Sequence, residues 1–148
     1  KQIMKCLLQR VTQANVQINK EIISSIQKGL LVFAAIENND NDAKVLRMAQ
    51  RIINYRMFSD AENLLNLSLI EKNYEILIVP QFTLAADTNK GLRPSFTKVA
   101  PAKLSENLFN TFVICCKEET KKVQTGRFGE DMQISLINDG PITFLLEV

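Results

Sequence analysis

Two short polar stretches border apolar ones and carry groups that could do chemistry. In Gln81-Phe82-Thr83 a carboxamide and a hydroxyl follow the apolar run Glu75-Ile76-Leu77-Ile78-Val79 and Pro80. Such a run is a buried strand, and the loop at a strand's end is where binding and catalytic groups concentrate. In Asn138-Asp139-Gly140-Pro141 a carboxamide, a carboxylate and a Gly-Pro peptide stand between two apolar segments. A Gly-Pro peptide can be cis at modest cost, and sequence leaves its isomer open. The chain has no histidine. That removes Ser-His and Cys-His nucleophile systems, a histidine general base and any histidine-ligated metal. Cys6, Cys115 and Cys116 have neither zinc-type nor C-x-x-C spacing and read as core thiols. No metal or cofactor is expected. Any chemistry must come from hydroxyls, carboxylates, lysines, backbone groups or the substrate itself.

The elements that hold these stretches can be read in order. Cys6 to Val11 is a strand. Ala14 to Ile18 and Glu21 to Ile26 form a hairpin about Asn19-Lys20. Leu30 to Ile36 is a continuous apolar run, typical of a central strand. Val45, Leu46, Ala49, Ile52 and Ile53 make the stripe of an amphipathic helix, with N-cap candidates ahead of it among residues 38–42. Lys44, Arg47 and Arg51 lie off that stripe and read as a solvated face. Phe58-Ser59-Asp60 reads as a turn, and Leu65 to Ile70 as a strand leading through Glu71-Lys72-Asn73 into the run that ends at Val79. Pro101 suits the first turn of a second long helix, with Leu104, Leu108, Phe109, Phe112, Val113 and Cys116 on its apolar stripe. Residues 121–129 read as a flexible connection into a final strand pair, Met132 to Ile137 and Ile142 to Val148, joined by a turn at Asn138-Asp139-Gly140-Pro141. Hairpins interleaved with two long helices make this an α/β chain with a mainly antiparallel, barrel-like sheet.

Composition bounds the partners. A chain of 148 residues is expected to be one domain. Eighteen Lys and Arg against sixteen Asp and Glu leave +2, too little to wrap a long nucleic acid but enough to touch a few phosphates at one end of an RNA. No DNA partner is expected. No apolar run approaches the roughly 20 residues of a membrane span, and no signal peptide is visible, so a cytoplasmic protein is expected.

Gln81-Phe82-Thr83-Leu84-Ala85 and Asn138-Asp139-Gly140-Pro141-Ile142-Thr143 together resemble the two signature motifs of the bacterial and eukaryotic D-aminoacyl-tRNA deacylases. The resemblance extends to Gln9-Arg10-Val11, Phe58-Ser59-Asp60, Arg93-Pro94-Ser95-Phe96 and Thr125-Gly126-Arg127-Phe128. It starts at Met4, so Lys1-Gln2-Ile3 read as an addition ahead of the pattern. One position departs: the family usually has Ser where this chain has Pro80, which removes a hydroxyl and an N–H. The resemblance implies hydrolysis of the ester of an aminoacyl-tRNA carrying a D-amino acid, or glycine, on its terminal adenosine. That ester is already activated, so the protein need only position it and polarise its carbonyl.

Carried over, the family's roles give Gln81, Phe82 and Thr83 as catalytic residues, with the Phe82 N–H as oxyanion donor. Thr83 as a covalent nucleophile has no base to activate it, and without the resemblance it reads as a strand-end hydroxyl bonded to its own backbone. Gly140-Pro141 resembles the family's Gly-cisPro element, which enters the partner subunit's active site and selects by handedness; a homodimer is implied. Asn138 and Thr143 of the same motif, Met132 ahead of it, Arg10 as its brace and Pro80 complete the candidate substrate-binding set. Two other readings stand beside this one. The first is a non-catalytic dimeric module of the same fold that binds a ligand or an RNA end. The second is a hydrolase of shifted chirality with a trans Gly-Pro.

Overall fold

The computed structural model describes residues 4–148, so the reading of Lys1-Gln2-Ile3 lies outside the described residues. Strand β1 (Lys5–Ile18) is one long strand rather than two. Asn19 and Lys20 both adopt positive φ, the turn that suits a two-residue hairpin, and β2 (Glu21–Ile26) returns along β1. Next, β3 (Gly29–Ala35) runs antiparallel to the first half of β1. Helix α1 (Asp42–Asn54) starts at Asn41, whose side chain accepts the Lys44 N–H at 3.0 Å. It buries Val45, Met48, Ala49, Ile52 and Ile53. Met48 therefore replaces Leu46 on the expected stripe, and Leu46 is 45% exposed, because the i, i+3, i+4, i+7, i+8 set starts at Val45.

The middle of the chain differs from the sequence reading in two places. Phe58 and Ser59 are not a turn but β4 (Phe58–Ser59), paired with β5 (Leu65–Leu67). The turn is made by Asp60, whose carboxylate accepts the N–H groups of Glu62 and Leu64. The expected strand through Ile70 stops at Leu67. Ser68 and Glu71 exchange side-chain and main-chain hydrogen bonds in a capping box, which starts α2 (Leu69–Lys72). Asn73, left-handed, ends it.

Strand β6 (Glu75–Pro80) then lies parallel to β3 and leads into a 3₁₀ turn, Phe82–Ala85. Pro101 stands at the N-cap of α3 (Ala102–Glu119), one position before the expected first turn. The supposed flexible connection contains β7 (Val123–Thr125), parallel to β6. The final strand pair is a single strand, β8 (Gln133–Glu147), antiparallel to nearly all of β1.

β1 organises the sheet. Its first half pairs with β3, its second half with β2, and both halves with β8. The order β2-β1-β3-β6-β7 then curls until the Ser24 hydroxyl of β2 donates to the Thr125 carbonyl of β7, so the sheet is nearly a closed barrel. It is antiparallel around β1 and parallel at β3–β6 and β6–β7. The continuous apolar runs follow from this shape. Leu30, Val32, Ile76 and Ile78 face α1 and α3, whereas Leu31, Leu77 and Val79 point inside the curl beside Val11, Val16 and Ile26. Both faces of β3 and β6 are covered, so neither can alternate apolar with polar. Cys6 and Cys116 belong to the helix-side core; burial pushes the Cys116 thiol up to about 12.

Candidate active site

The polar stretch after β6 is held by the sheet itself. The Gln81 N–H donates to the Ala34 carbonyl of β3 at 2.8 Å, pinning the chain as it leaves the strand. The 3₁₀ turn begins immediately, and the leading N–H of a helical turn has no partner inside it. The Phe82 N–H occupies that position. The Gln81 carboxamide donates to the Thr83 hydroxyl. A carboxamide cannot remove a proton, so this contact orients Thr83 without activating it.

Pro80, Gln81 and Phe82 line a cavity of about 710 Å³ with Phe96, Phe128 and Met132. Each wall comes from a different element. The bridge between Asp87 and Ser95 carries the loop that seats Phe96 against Phe82, ring centroids 5.5 Å apart and planes tilted by 54°. The α3 residue Phe109 meets Phe128 at 6.4 Å and closes the floor. The Met132 sulfur accepts the Arg127 N–H at 3.4 Å. A Cβ on Gly126 would come within 2.8 Å of that sulfur, so the glycine lets Met132 into the wall. Glu130 and Asp131 also line it, and the Glu130 carboxylate stands 3.9 Å from Arg127. Ser105 also lines the cavity, but its hydroxyl donates to the Ala100 carbonyl at 3.0 Å. Among the described residues, no group of His, Cys, Asp or Glu side chains converges to hold a metal ion.

A second cluster stands apart. Val11 of β1 faces Asn138 and Gln9 faces Thr143, so residues 139–142 of β8 bulge out opposite Arg10 alone. The expected turn between two strands is thus a long bulge within one. Asn138 clamps its base. Its Oδ1 accepts the Ile142 N–H at 2.7 Å, and its Nδ2 donates to the Thr143 hydroxyl at 3.0 Å and the Ile142 carbonyl at 3.3 Å. Gln9 Nε2 also donates to Thr143 Oγ1 at 3.3 Å. Arg10 Nε donates to the Asp139 carbonyl at 2.9 Å, and Nη1 to the Met57 carbonyl at 3.1 Å. At the tip, the Gly140–Pro141 peptide is cis and both residues are exposed. Gly140 has φ +145°, where a Cβ would meet Ile142 Cγ1 at 2.7 Å.

Of the sequence-derived candidates, the fold therefore gathers Pro80, Gln81, Phe82 and Met132 around one cavity, with Thr83 beside Gln81. It gathers Arg10, Asn138, Gly140, Pro141 and Thr143 into the bulge, none of which lines that cavity. Phe96, Phe109 and Phe128 escaped the site reading, although Phe96 and Phe128 stand in the resembling segments. Phe109 looked like ordinary helix stripe.

Residues 7–147 match the protein family described as D-Tyr-tRNA(Tyr) deacylase. A D-aminoacyl-tRNA deacylase of Teredinibacter turnerae is 50% identical over 97% of this chain and 99% of its own length. The chain belongs to the D-Tyr-tRNA(Tyr) deacylase family. Deacylation of an aminoacyl-tRNA is hydrolysis of an ester, so this is a family of hydrolases. The Escherichia coli K12 D-aminoacyl-tRNA deacylase is 47% identical over 98% of this chain and all of its own. Two solved structures share the deacylase fold. One, named c-Myc DNA Unwinding Element Binding Protein, superposes with a TM-score of 0.94 at 35% identity, covering 97% of this chain and 98% of its own. The other, a probable eukaryotic D-amino acid tRNA deacylase, gives 0.86 at 18% identity, covering 99% and 100%. No helix among the described residues of this deacylase is long and apolar enough to cross a membrane.

Proposed function

We propose that this deacylase hydrolyses the ester joining a D-amino acid, or glycine, to the terminal adenosine of tRNA, and that it works as a two-fold dimer in the cytoplasm. The observation that carries the dimer is the placement of Gly140–Pro141. The tip is exposed, absent from its own cavity, and held at its base by Arg10, Asn138 and Gln9. A braced, exposed tip suits insertion into a second copy, where a two-fold operator makes the exchange reciprocal.

The chemistry then needs little from side chains. The adenosine and the ester lie in the aromatic cavity, and the Phe82 N–H faces the carbonyl oxygen as charge develops on it. Preorganised donors of this kind supply on the order of 10² to 10³ in rate each. Water, assisted by the neighbouring ribose hydroxyl, attacks the carbonyl carbon. The carbon–oxygen bond to the ribose breaks, and free tRNA and the amino acid leave. Arg10 occupies the Asp139 carbonyl, which leaves the Gly140 and Pro141 carbonyls to take the substrate's ammonium group. With amine and ester both fixed, a D side chain points to solvent and an L side chain meets main chain. Selection by main chain senses handedness, not side-chain identity. Pro80 lines the cavity and leaves the Phe82 N–H in place. The partner proposed is the aminoacylated 3′ end of tRNA, not DNA.

Deacylation of D-Tyr-, D-Asp-, Gly- and L-Tyr-tRNA by purified protein tests this. The first three should be hydrolysed and the last spared. Hydrolysis of L-Tyr-tRNA at the D-Tyr rate, or a monomer of full activity, would overturn it.

A further inference from the structure

Behind the bulge lies a small concavity of about 150 Å³, lined by Arg10, Lys28, Lys72, Asp139, Ser59, Phe58, Tyr74 and Val11. Three cations face one carboxylate there, an excess as large as that of the whole chain, +2. The single carboxylate is committed: Asp139 stands 3.7 Å from Arg10. The acids next to the lysines hydrogen-bond main-chain donors and pair with neither lysine. Glu75 accepts the Gln27 N–H at 3.1 Å, and Glu71 accepts the Ser68 N–H at 2.9 Å in the capping box of α2. Neither Lys28 nor Lys72 forms an ion pair among the described residues. Lys72 lies over the Tyr74 ring, 5.4 Å from its centroid, so its position is set before any ligand arrives. Lys28 is exposed just ahead of β3, where its carbonyl accepts the Glu75 N–H. Lys122 extends the patch by donating to the Asn73 carbonyl at 2.9 Å.

We propose that Lys28 and Lys72 bind the phosphate backbone of the tRNA behind its terminal nucleotide. This rests on the reading above, in which Gly140–Pro141 enters the cavity that holds the aminoacyl end. Arg10 and Asp139 belong both to the brace of that loop and to this concavity, so a chain whose last residue meets the tip has its preceding phosphates beside the lysines. Arg10 is spent on carbonyls. Lys28 and Lys72 are the cations left for phosphate. A lysine ammonium contacts phosphate as a point charge, which reads backbone and not sequence.

The test uses two substrates, D-Tyr-tRNA and D-tyrosyl-adenosine, the latter keeping the ester and lacking every phosphate. Lys28→Ala/Lys72→Ala should raise KM for D-Tyr-tRNA about tenfold with kcat held, and should lower the slope of log KM against log salt by about one unit per lost contact. Hydrolysis of D-tyrosyl-adenosine should not change. Arg47→Ala/Lys117→Ala removes the same charge from the outer faces of α1 and α3 and should leave both substrates alone. An unchanged KM for D-Tyr-tRNA in the Lys28/Lys72 variant overturns the phosphate site, as does an equal rise in the Arg47/Lys117 variant. Failure of the wild type to hydrolyse either substrate would instead overturn the deacylase reading.

Discussion

Replacing one residue can separate a main-chain N–H from the side chain it carries. Phe82→Ala keeps the N–H and removes the ring, which is 55% exposed and packs on Phe96. The ring pair contributes about 0.5–1.5 kcal/mol beyond its burial, so this variant should bind the aminoacyl end more weakly and fold normally. Phe82→Pro removes the ring and the N–H together. Proline is tolerated at the first position of a helical turn, where its fixed φ fits and the N–H has no internal partner. The anchoring bond from the Gln81 N–H to Ala34 is untouched. If that N–H meets the oxyanion, Phe82→Pro should lose a further 10² to 10³ in kcat beyond Phe82→Ala, about 2.7–4 kcal/mol of barrier. Single-turnover deacylation of D-Tyr-tRNA at saturating enzyme reads the difference, and circular dichroism checks that both variants fold. A Phe82→Pro rate within fivefold of Phe82→Ala would refute the oxyanion assignment.

Arg10→Ala leaves the Asp139 and Met57 carbonyls without their donor in a place where Arg10 is only 13% exposed. Denaturant unfolding should show a loss of about 1–3 kcal/mol, and D-Tyr-tRNA hydrolysis should fall while dimers persist in sedimentation; an active, fully stable variant would contradict the brace. Acid should weaken the fold for a specific reason. The main-chain N–H groups of Leu64, Ser68 and Asn89 hold the carboxyls of Asp60, Glu71 and Asp87 below their ordinary values of 3.8, 4.5 and 3.8. A carboxyl depressed in the folded state stabilises it above the unfolded value, and that contribution is lost as pH falls through the folded one. Asp40 acts in the opposite sense, because burial raises it, so its contribution favours the fold on acidification. The urea midpoint should therefore drop between pH 5 and pH 3, and Asp60→Asn should flatten the drop; a midpoint independent of pH in that range would contradict this balance.

The sequence showed most of what is local. The hairpin at Asn19-Lys20, the apolar run of β3 and both long helices follow from periods and turn residues that neighbours in the chain settle among themselves. The capping box Ser68-Leu69-Ile70-Glu71 was equally local, but Leu65 to Ile70 also suits a strand, and only the packing of Leu69 into the core decides for helix. What sequence could not show is what distant partners impose. β7 has three residues and exists because β6 offers it an edge. Asn138-Asp139-Gly140-Pro141 carries every mark of a turn. It becomes a bulge because β1 is long enough to pair on both sides of it. The site divides in the same way. Pro80, Gln81 and Phe82 announced themselves at a strand end, whereas Phe96 and Phe128 reach the cavity from loops whose course is set by the Asp87–Ser95 bridge and by the Gly126 N–H donating to Ile78.

The central claim is that one subunit's loop completes the other subunit's cavity, and mixed dimers test it. Phe82→Pro disables a cavity and leaves its loop intact. Gly140→Val disables a loop, since a side chain at φ +145° meets Ile142, and leaves its cavity intact. Each variant alone should be inactive on D-Tyr-tRNA. Unfolded together and refolded in equal amounts, half of the dimers are mixed, and each holds one good cavity facing one good loop. The mixture should recover about a quarter of wild-type activity. No recovery, with mixed dimers shown to form by mass spectrometry, would contradict a site shared between subunits.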